Sequence, residues 1–395
     1  MTAIPRYRAL SGPAVFSAGF RPFFLGAALW ATVAVPLWLA LFAGEAGLPS
    51  ALPPAIWHAH EMVFGYATAV VAGFLLTAIP NWTGRMPLQG GPLALLVALW
   101  VAGRIAVLCS GELGAATAAL LDLAFPAAFL VAIAREIMSG RNWRNLPMTA
   151  ALTMLLTGNL LVHLESLGGA ATAELGNRLG IATLLMLIAF VGGRIVPSFT
   201  RNWLVKQRPG ALPPAAFDNL DRAVLAITGT ALALWVVLPG AAGTACVELA
   251  AGFAVAVRLV RWRGAAAAWE PLLLVLHVGY GWLAFGLVLL AFDRLVPLLP
   301  ATTALHALTV GAIGTMTLAV MTRATLGHTG RTLTAGPGTV AIYVLITLAA
   351  ILRLLAPLGG ARYLLLLWVA GAAWSGAFGL FVLLYGRPLL SARRG

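Results

Sequence analysis

Again and again this chain delivers an uninterrupted apolar run, then a short polar or basic turn. Each run is about 20 residues, enough to cross ~30 Å of hydrocarbon at ~1.5 Å per residue. Twelve such runs lie near residues 23–44, 57–79, 91–110, 114–134, 146–165, 175–196, 220–238, 241–260, 270–291, 302–323, 336–355 and 362–385. In lipid every backbone polar group must be satisfied within the segment, so runs of this kind form helices. The expected fold class is an all-α membrane protein, a bundle of about twelve transmembrane helices. Charged residues are only 9% of the chain, against roughly 25% in soluble domains. The longest segment outside the runs, roughly 197–219, is too short for a soluble domain, which needs about 50 residues. Residues 1–395 therefore read as a single polytopic membrane domain.

A net charge of +13 would suit nucleic acid, but its placement points to a bilayer. Twenty basic residues fall at alternate turns on one side: Arg6, Arg8, Arg21, Arg85, Arg135, Arg141, Arg144, Arg194, Arg201, Lys206, Arg208, Arg222, Arg258, Arg261, Arg263, Arg323, Arg331, Arg387, Arg393 and Arg394. The other side carries four: Arg178, Arg294, Arg353 and Arg362. By the positive-inside rule both termini are cytoplasmic, as expected for a multi-pass protein of a bacterial inner membrane. The first run is too long for the core of a cleavable signal. No C-x-x-C-H occurs, which excludes covalent c-type haem. No G-x-x-x-x-G-K-[ST] loop occurs, which argues against ATP-driven work. Chemistry must then come from side chains facing one another inside the bundle.

Polar groups in a membrane interior are costly and usually functional. Span 2 opens on Trp57-His58-Ala59-His60-Glu61-Met62, which spends two of the six histidines in one place. On a regular helix residues i and i+2 point about 200° apart, so His58 and His60 should serve different centres. The i, i+3, i+4 spacing places Glu61 and Met62 on the face of His58. His306 enters span 10 above a row of small residues, Ala307, Gly311, Thr315 and Ala319, that admits close helix approach. His277 lies about a third of the way into span 9, with Tyr280 and Gly281 on its face. His58, His60, His277 and His306 are thus the candidate metal and cofactor ligands. Glu61, Met62, His328, Arg323 and Arg331 are secondary candidates. The last three come from a basic turn that could hold an anionic group. His163, with Asn159 one turn below, reads as an outer-surface residue.

Arg104 in span 3 and Asp122 in span 4 stand equidistant from the turn Ser110-Gly111-Glu112-Leu113-Gly114. An antiparallel hairpin brings them to one height, and a mutual salt bridge is the economical reading. Both are left off the candidate site. Spans 7, 8, 11 and 12 read as scaffold.

Two segments resemble the NnrS family of bacterial membrane proteins. One is Trp57–Met62 with Gly73-Phe74-Leu75-Leu76-Thr77-Ala78-Ile79-Pro80-Asn81-Trp82-Thr83-Gly84. The other is His306–Met316, continuing through Met321-Thr322-Arg323 to Gly327-His328-Thr329-Gly330-Arg331. Gly19-Phe20-Arg21-Pro22-Phe23-Phe24 and the His277-Val278-Gly279-Tyr280 region add to the likeness. The resemblance implies twelve spans, bound haem (b-type and non-covalent) and copper, and a role in the nitric oxide response of denitrifying or host-exposed bacteria. It does not say which histidine takes which metal. Our assignment gives haem to His58 and His306, with His60 and His277 next in line for a second centre. Span 2 is also similar to that of haem–copper oxidases and nitric oxide reductases, which carry a haem-ligating histidine at the same place. Their copper-site histidine pair between spans 7 and 8 is missing here.

The leading expectation is a haem and copper membrane protein that binds or transforms nitric oxide at a periplasmic-half histidine site, fed by a membrane or periplasmic electron donor. Two alternatives stand beside it. One is a secondary transporter of the twelve-helix type. The other is an assembly factor for a respiratory nitric oxide or nitrite reductase.

Overall fold

The computed structural model describes residues 12–296 and 300–393. Arg6, Arg8 and Arg394 of the charge count lie outside the described residues. Among the described residues all regular structure is helical. Eleven helices are long and apolar enough to cross a membrane. The last, Pro337–Leu390, has 54 residues and at ~1.5 Å per residue would be more than twice the ~30 Å needed. It breaks at Gly360, whose φ of 51° and ψ of −120° leave helical space. Two spans result, which makes twelve membrane-length helices among the described residues, those of a multi-pass membrane protein.

The helices pack as two compact units. The first takes the chain up to Gly180, with Ala324–Arg331 and the segment from Phe381 onward; the second takes Ile181–Arg323 and Thr332–Leu380. The first unit is built on α1 (Phe20–Phe42), α2 (Pro54–Thr83), α3 (Gly91–Leu108), α4 (Ala115–Ser139) and α5 (Leu146–Ser166). α1 packs along α2, α3 along α4, and α4 along both α5 and α2. Their apolar seam includes Phe23, Phe24, Phe125 and Phe129, each at most 2% exposed, with the Phe23 and Phe125 rings 5.5 Å apart.

α6 (Ala173–Gln207) starts in the first unit and continues into the second. α7 (Asn219–Val237), α8 (Ala242–Val260), α9 (Pro271–Leu295), α10 (Thr302–His328), α11 (Pro337–Leu355) and α12 (Tyr363–Leu390) follow. α8 packs against α7 and α9, and the middle of α10 against α9 and α11. The C-terminal turn of α12 returns to the first unit. There Arg21 donates to the carbonyls of Leu389 at 2.9 Å and Ser391 at 2.5 Å. A guanidinium at a helix C-terminus satisfies carbonyls that have no partner within the helix.

Helix starts follow local chemistry. Pro occupies the first turn of α2, α3, α5, α9 and α11, where its missing N–H costs nothing. α7 begins with a capping box: Asp218 accepts from Asp221 N–H and Asp221 accepts from Asp218 N–H. The Asp218 carboxylate also pairs with Arg261. Its hydrogen bond with that guanidinium holds it below the usual carboxylate range.

Three spans contain a π-helical stretch: Glu61–Ala67 in α2, Ile188–Gly192 in α6 and Ala307–Gly314 in α10. A π turn bonds i to i+5 and releases carbonyls from the ordinary ladder, which is why such turns gather at functional sites. In α2 the Gly65 carbonyl accepts from Trp100 Nε1 at 2.9 Å, and that of Val63 accepts from Thr68 Oγ1 at 2.9 Å. In α6 the Ala189 carbonyl accepts from Arg258 Nη1 at 2.9 Å.

α8 is more than scaffold. Glu248 is fully buried and accepts from Arg294 at 2.5 Å. Arg258, 1% exposed, donates to Asp221 at 2.7 Å and to the Tyr280 hydroxyl at 3.0 Å. Arg294 and Arg258 were counted as loop charges from the sequence; each is instead part of an interhelical ion pair. A charge that stays in a low-dielectric interior needs such a partner.

Candidate functional site

In the first unit four spans bring polar groups to one end of the bundle. His60 lies six residues into α2 and Asp122 seven into α4; Arg104 stands four residues before the end of α3, and His163 three before the end of α5. All four are therefore within ~10 Å of that end. Antiparallel neighbours place these residues at one height. Asn159 and His163, four apart on α5, share a helix face.

Their side chains form one buried network. His60 Nε2 lies 3.1 Å from Asp122 Oδ2 and 2.9 Å from Asn159 Oδ1. His163 Nε2 lies 2.9 Å from the same Asp122 oxygen, and Asn159 Nδ2 donates to it at 2.8 Å. His60 Nδ1 sits 3.0 Å from Glu61 Oε1, which also accepts from Arg104 Nη1 at 2.6 Å. Arg104 Nη2 donates to Asp122 Oδ1. His60 and Glu61 are 0% exposed, Asp122 1%, His163 3% and Arg104 5%. The two imidazoles meet edge to face at 5.3 Å, and Phe64 covers His60 at 5.4 Å.

Two glycines make the approach possible. A Cβ on Gly65 would stand 2.6 Å from Arg104 Nη1 and 2.9 Å from Glu61 Oε2. A Cβ on Gly103 would stand 2.9 Å from Asp122 Oδ1. Such separations are well inside van der Waals contact, so a larger residue at either position pushes the network apart.

Charge and hydrogen bonding constrain what the network holds. Two carboxylates face one guanidinium, which leaves one negative charge to be balanced. Both nitrogens of His60 face oxygens that accept. A second hydrogen on that ring satisfies them, and so does a cation in place of the hydrogen on Nε2. His60, Asp122 and His163 form the one group of three metal-competent side chains among the described residues, with ligand atoms within 4.8 Å of one another. Two imidazole nitrogens and a carboxylate oxygen suit first-row transition ions such as copper, iron or zinc. Metal–nitrogen bonds of ~2.0–2.1 Å put tetrahedral ligands about 3.3 Å apart. The 2.9 and 3.1 Å separations reach that with shifts of a few tenths of an ångström, so the donor set fits a metal ion.

The structure revises several sequence expectations here. His163, expected at the surface, is buried and bonded to Asp122. The Arg104–Asp122 salt bridge exists, yet Asp122 is also the centre of the histidine network and belongs to the site. Glu61 was placed on the face of His58 by α-helical spacing. It joins His60 instead, because the π stretch begins at Glu61 and changes the angle between successive residues. A polar residue at the same height in four consecutive spans was the available signal.

The remaining candidates are dispersed. His58, half-buried in the first unit, stacks on Trp38 with centroids 4.2 Å apart and planes 23° apart. The expected divergence of His58 from His60 is therefore present. Met62 is half-buried in the π stretch. His328 is the last residue of α10 rather than a solvated loop residue; its ring lies 5.5 Å from that of Phe20. Arg331 follows in the same unit, half-buried. In the second unit His306 Nδ1 lies 2.6 Å from the Thr302 carbonyl. That contact puts the hydrogen on Nδ1 and the lone pair on Nε2. Arg323 lies over the Phe199 ring at 4.1 Å. His277 stands in α9 beside a cavity and apart from any metal-competent group among the described residues.

Among curated proteins no relative matches the sequence. A family profile described as NnrS protein matches residues 14–393, nearly the whole chain. This chain therefore belongs to the NnrS family, membrane proteins of the nitric oxide response.

Proposed function

We propose that the chain serves the nitric oxide response by holding copper at His60, Asp122 and His163, in a bacterial inner membrane with both termini cytoplasmic. The observation that carries this reading is the convergence of three ligand atoms within 4.8 Å in a site closed to water. Copper bound there would supply a redox-active ion with affinity for nitric oxide. The chain's own residues do the rest. Glu61 accepts from His60 Nδ1 and so fixes Nε2 as the nitrogen turned to Asp122, the support that ligating histidines usually have. Arg104 offsets the charge of Glu61 and Asp122. Phe64 and the absence of exposure exclude water. An uncharged gas dissolves in lipid and reaches such a site without a charged gate.

A non-covalent haem would take an imidazole from His58 or from His306. Stacking on Trp38 fixes the His58 ring plane. The Thr302 contact occupies Nδ1 of His306, so Nε2 would be the ligating nitrogen. Both observations fit an imidazole that would hold haem iron. Any turnover would draw on a membrane or periplasmic electron donor. The test is to titrate the reduced, metal-loaded protein with nitric oxide and to follow optical and electron-spin spectra. Wild type should respond and Asp122→Asn should not; an identical response from both would end the proposal.

A further inference from the structure

A second site lies in the second unit, at the end of the bundle that the charge asymmetry assigns to the cytoplasm. The turn between α8 and α9 encloses a cavity of about 390 Å³, within the range of small-molecule sites. Its walls are apolar: Leu259, Val260, Leu274 and Val278. Val260 is 79% and Leu274 41% exposed, so the mouth opens on the lipid-facing side of the helices. His277 and Arg263 carry its polar side chains.

His277 is 8% exposed, and its Nε2 makes no hydrogen bond, although the Trp262 backbone is a near neighbour. Its Nδ1 lies 3.0 Å from the Leu273 carbonyl. A carbonyl only accepts, so Nδ1 carries the hydrogen and Nε2 of the neutral ring presents a lone pair. Gly264 packs close against this edge of the ring, and a Cβ there would meet the ring at Cδ2 and stand 3.0 Å from Nε2. A buried acceptor without a donor is costly. Arg263 holds a left-handed backbone at φ 58°, and is the one charged side chain of the lining.

We propose that this cavity binds the head group of a membrane quinol. The ligand must enter from lipid, fill an apolar slot with a flat ring, and offer a hydroxyl to Nε2 with a second oxygen toward Arg263. A para-dihydroxylated ring on an apolar tail meets all these conditions. The site is separate from the metal network, and its occupancy does not depend on bound metal.

The experiment uses the full chain in nanodiscs of zwitterionic lipid, titrated with a decyl benzoquinol kept reduced. Binding is read from tryptophan fluorescence and equilibrium dialysis. One saturable site is expected, with the oxidised quinone about tenfold weaker, since it has no hydroxyl to give Nε2. His277→Leu should weaken quinol about tenfold and erase the preference for the reduced form. Leu274→Trp, which narrows the mouth from an exposed position, should block binding with unchanged melting, and it carries the test if His277→Leu fails to fold. Copper content should be unchanged in both variants, so the result stands apart from the metal proposal. The proposal is overturned by no saturable binding in wild type, or by undiminished binding in both variants. It is equally overturned if the cavity takes a metal ion through His277, or an anionic phospholipid through Arg263 that quinol does not displace.

Discussion

His60 and Glu61 are adjacent in the chain, yet Nδ1 of one and Oε1 of the other meet at 3.0 Å. Neighbouring residues on a regular α-helix do not face each other. The contact exists because the helix changes to π winding at Glu61. That change couples a carboxylate to the imidazole that, through Asp122, reaches α4 and α5. The local winding of one span thereby joins four spans at a single buried site.

Removing Arg104 should be severe. Arg104→Ala leaves Glu61 and Asp122 buried without their counter-charge. Breaking one partner of a buried pair costs about 3–5 kcal/mol, measurable as a fall in unfolding midpoint in detergent. The double change Arg104→Met with Asp122→Leu should recover much of that stability but bind no metal. Normal stability in Arg104→Ala would contradict the network.

Gly65→Ala tests the close approach by steric means. The added methyl falls 2.6 Å from Arg104 Nη1, and overpacking of this kind costs about 1–3 kcal/mol. Lower thermal stability and weaker copper retention are expected together. A variant indistinguishable from wild type in both would show that the site tolerates the displacement.

Proton and metal compete for the His60 and His163 nitrogens. Copper affinity should therefore fall as the solution is made more acid, because ligating nitrogens must be unprotonated. Metal addition at constant pH should release protons, detectable with an indicator dye. Affinity that does not change with pH, with no proton release on metal addition, would count against imidazole ligation.

The number and type of the spans were legible because a 20-residue apolar run leaves few alternatives to a helix. The Arg104–Asp122 pairing was legible too, since a tight turn fixes equal heights on either side. The partners of His60 were not. They depend on a π stretch that ordinary helical spacing does not anticipate, and on α5 turning Asn159 and His163 toward Asp122. Glu248 went unnoticed because one carboxylate in an apolar run looks like an exception until Arg294 is seen beside it. His58 could be separated from His60 by angle alone, but its stacking on Trp38 required the packing of α1 on α2.

Topology is tested by reporter fusions. One placed after Gly47 should report the periplasm and one after Gly210 the cytoplasm, following the positive-inside asymmetry. The reverse pattern would put the metal network at the cytoplasmic end.

In the proposed site His60, Asp122 and His163 hold the metal. Asp122→Asn preserves shape and removes the charge that draws both imidazoles together. The most direct measurement is the copper content of purified wild type and Asp122→Asn, matched for folding by circular dichroism. Wild type should hold about one ion per chain, given the one three-residue donor set among the described residues, and the variant little or none. Equal copper in the two folded proteins would contradict it.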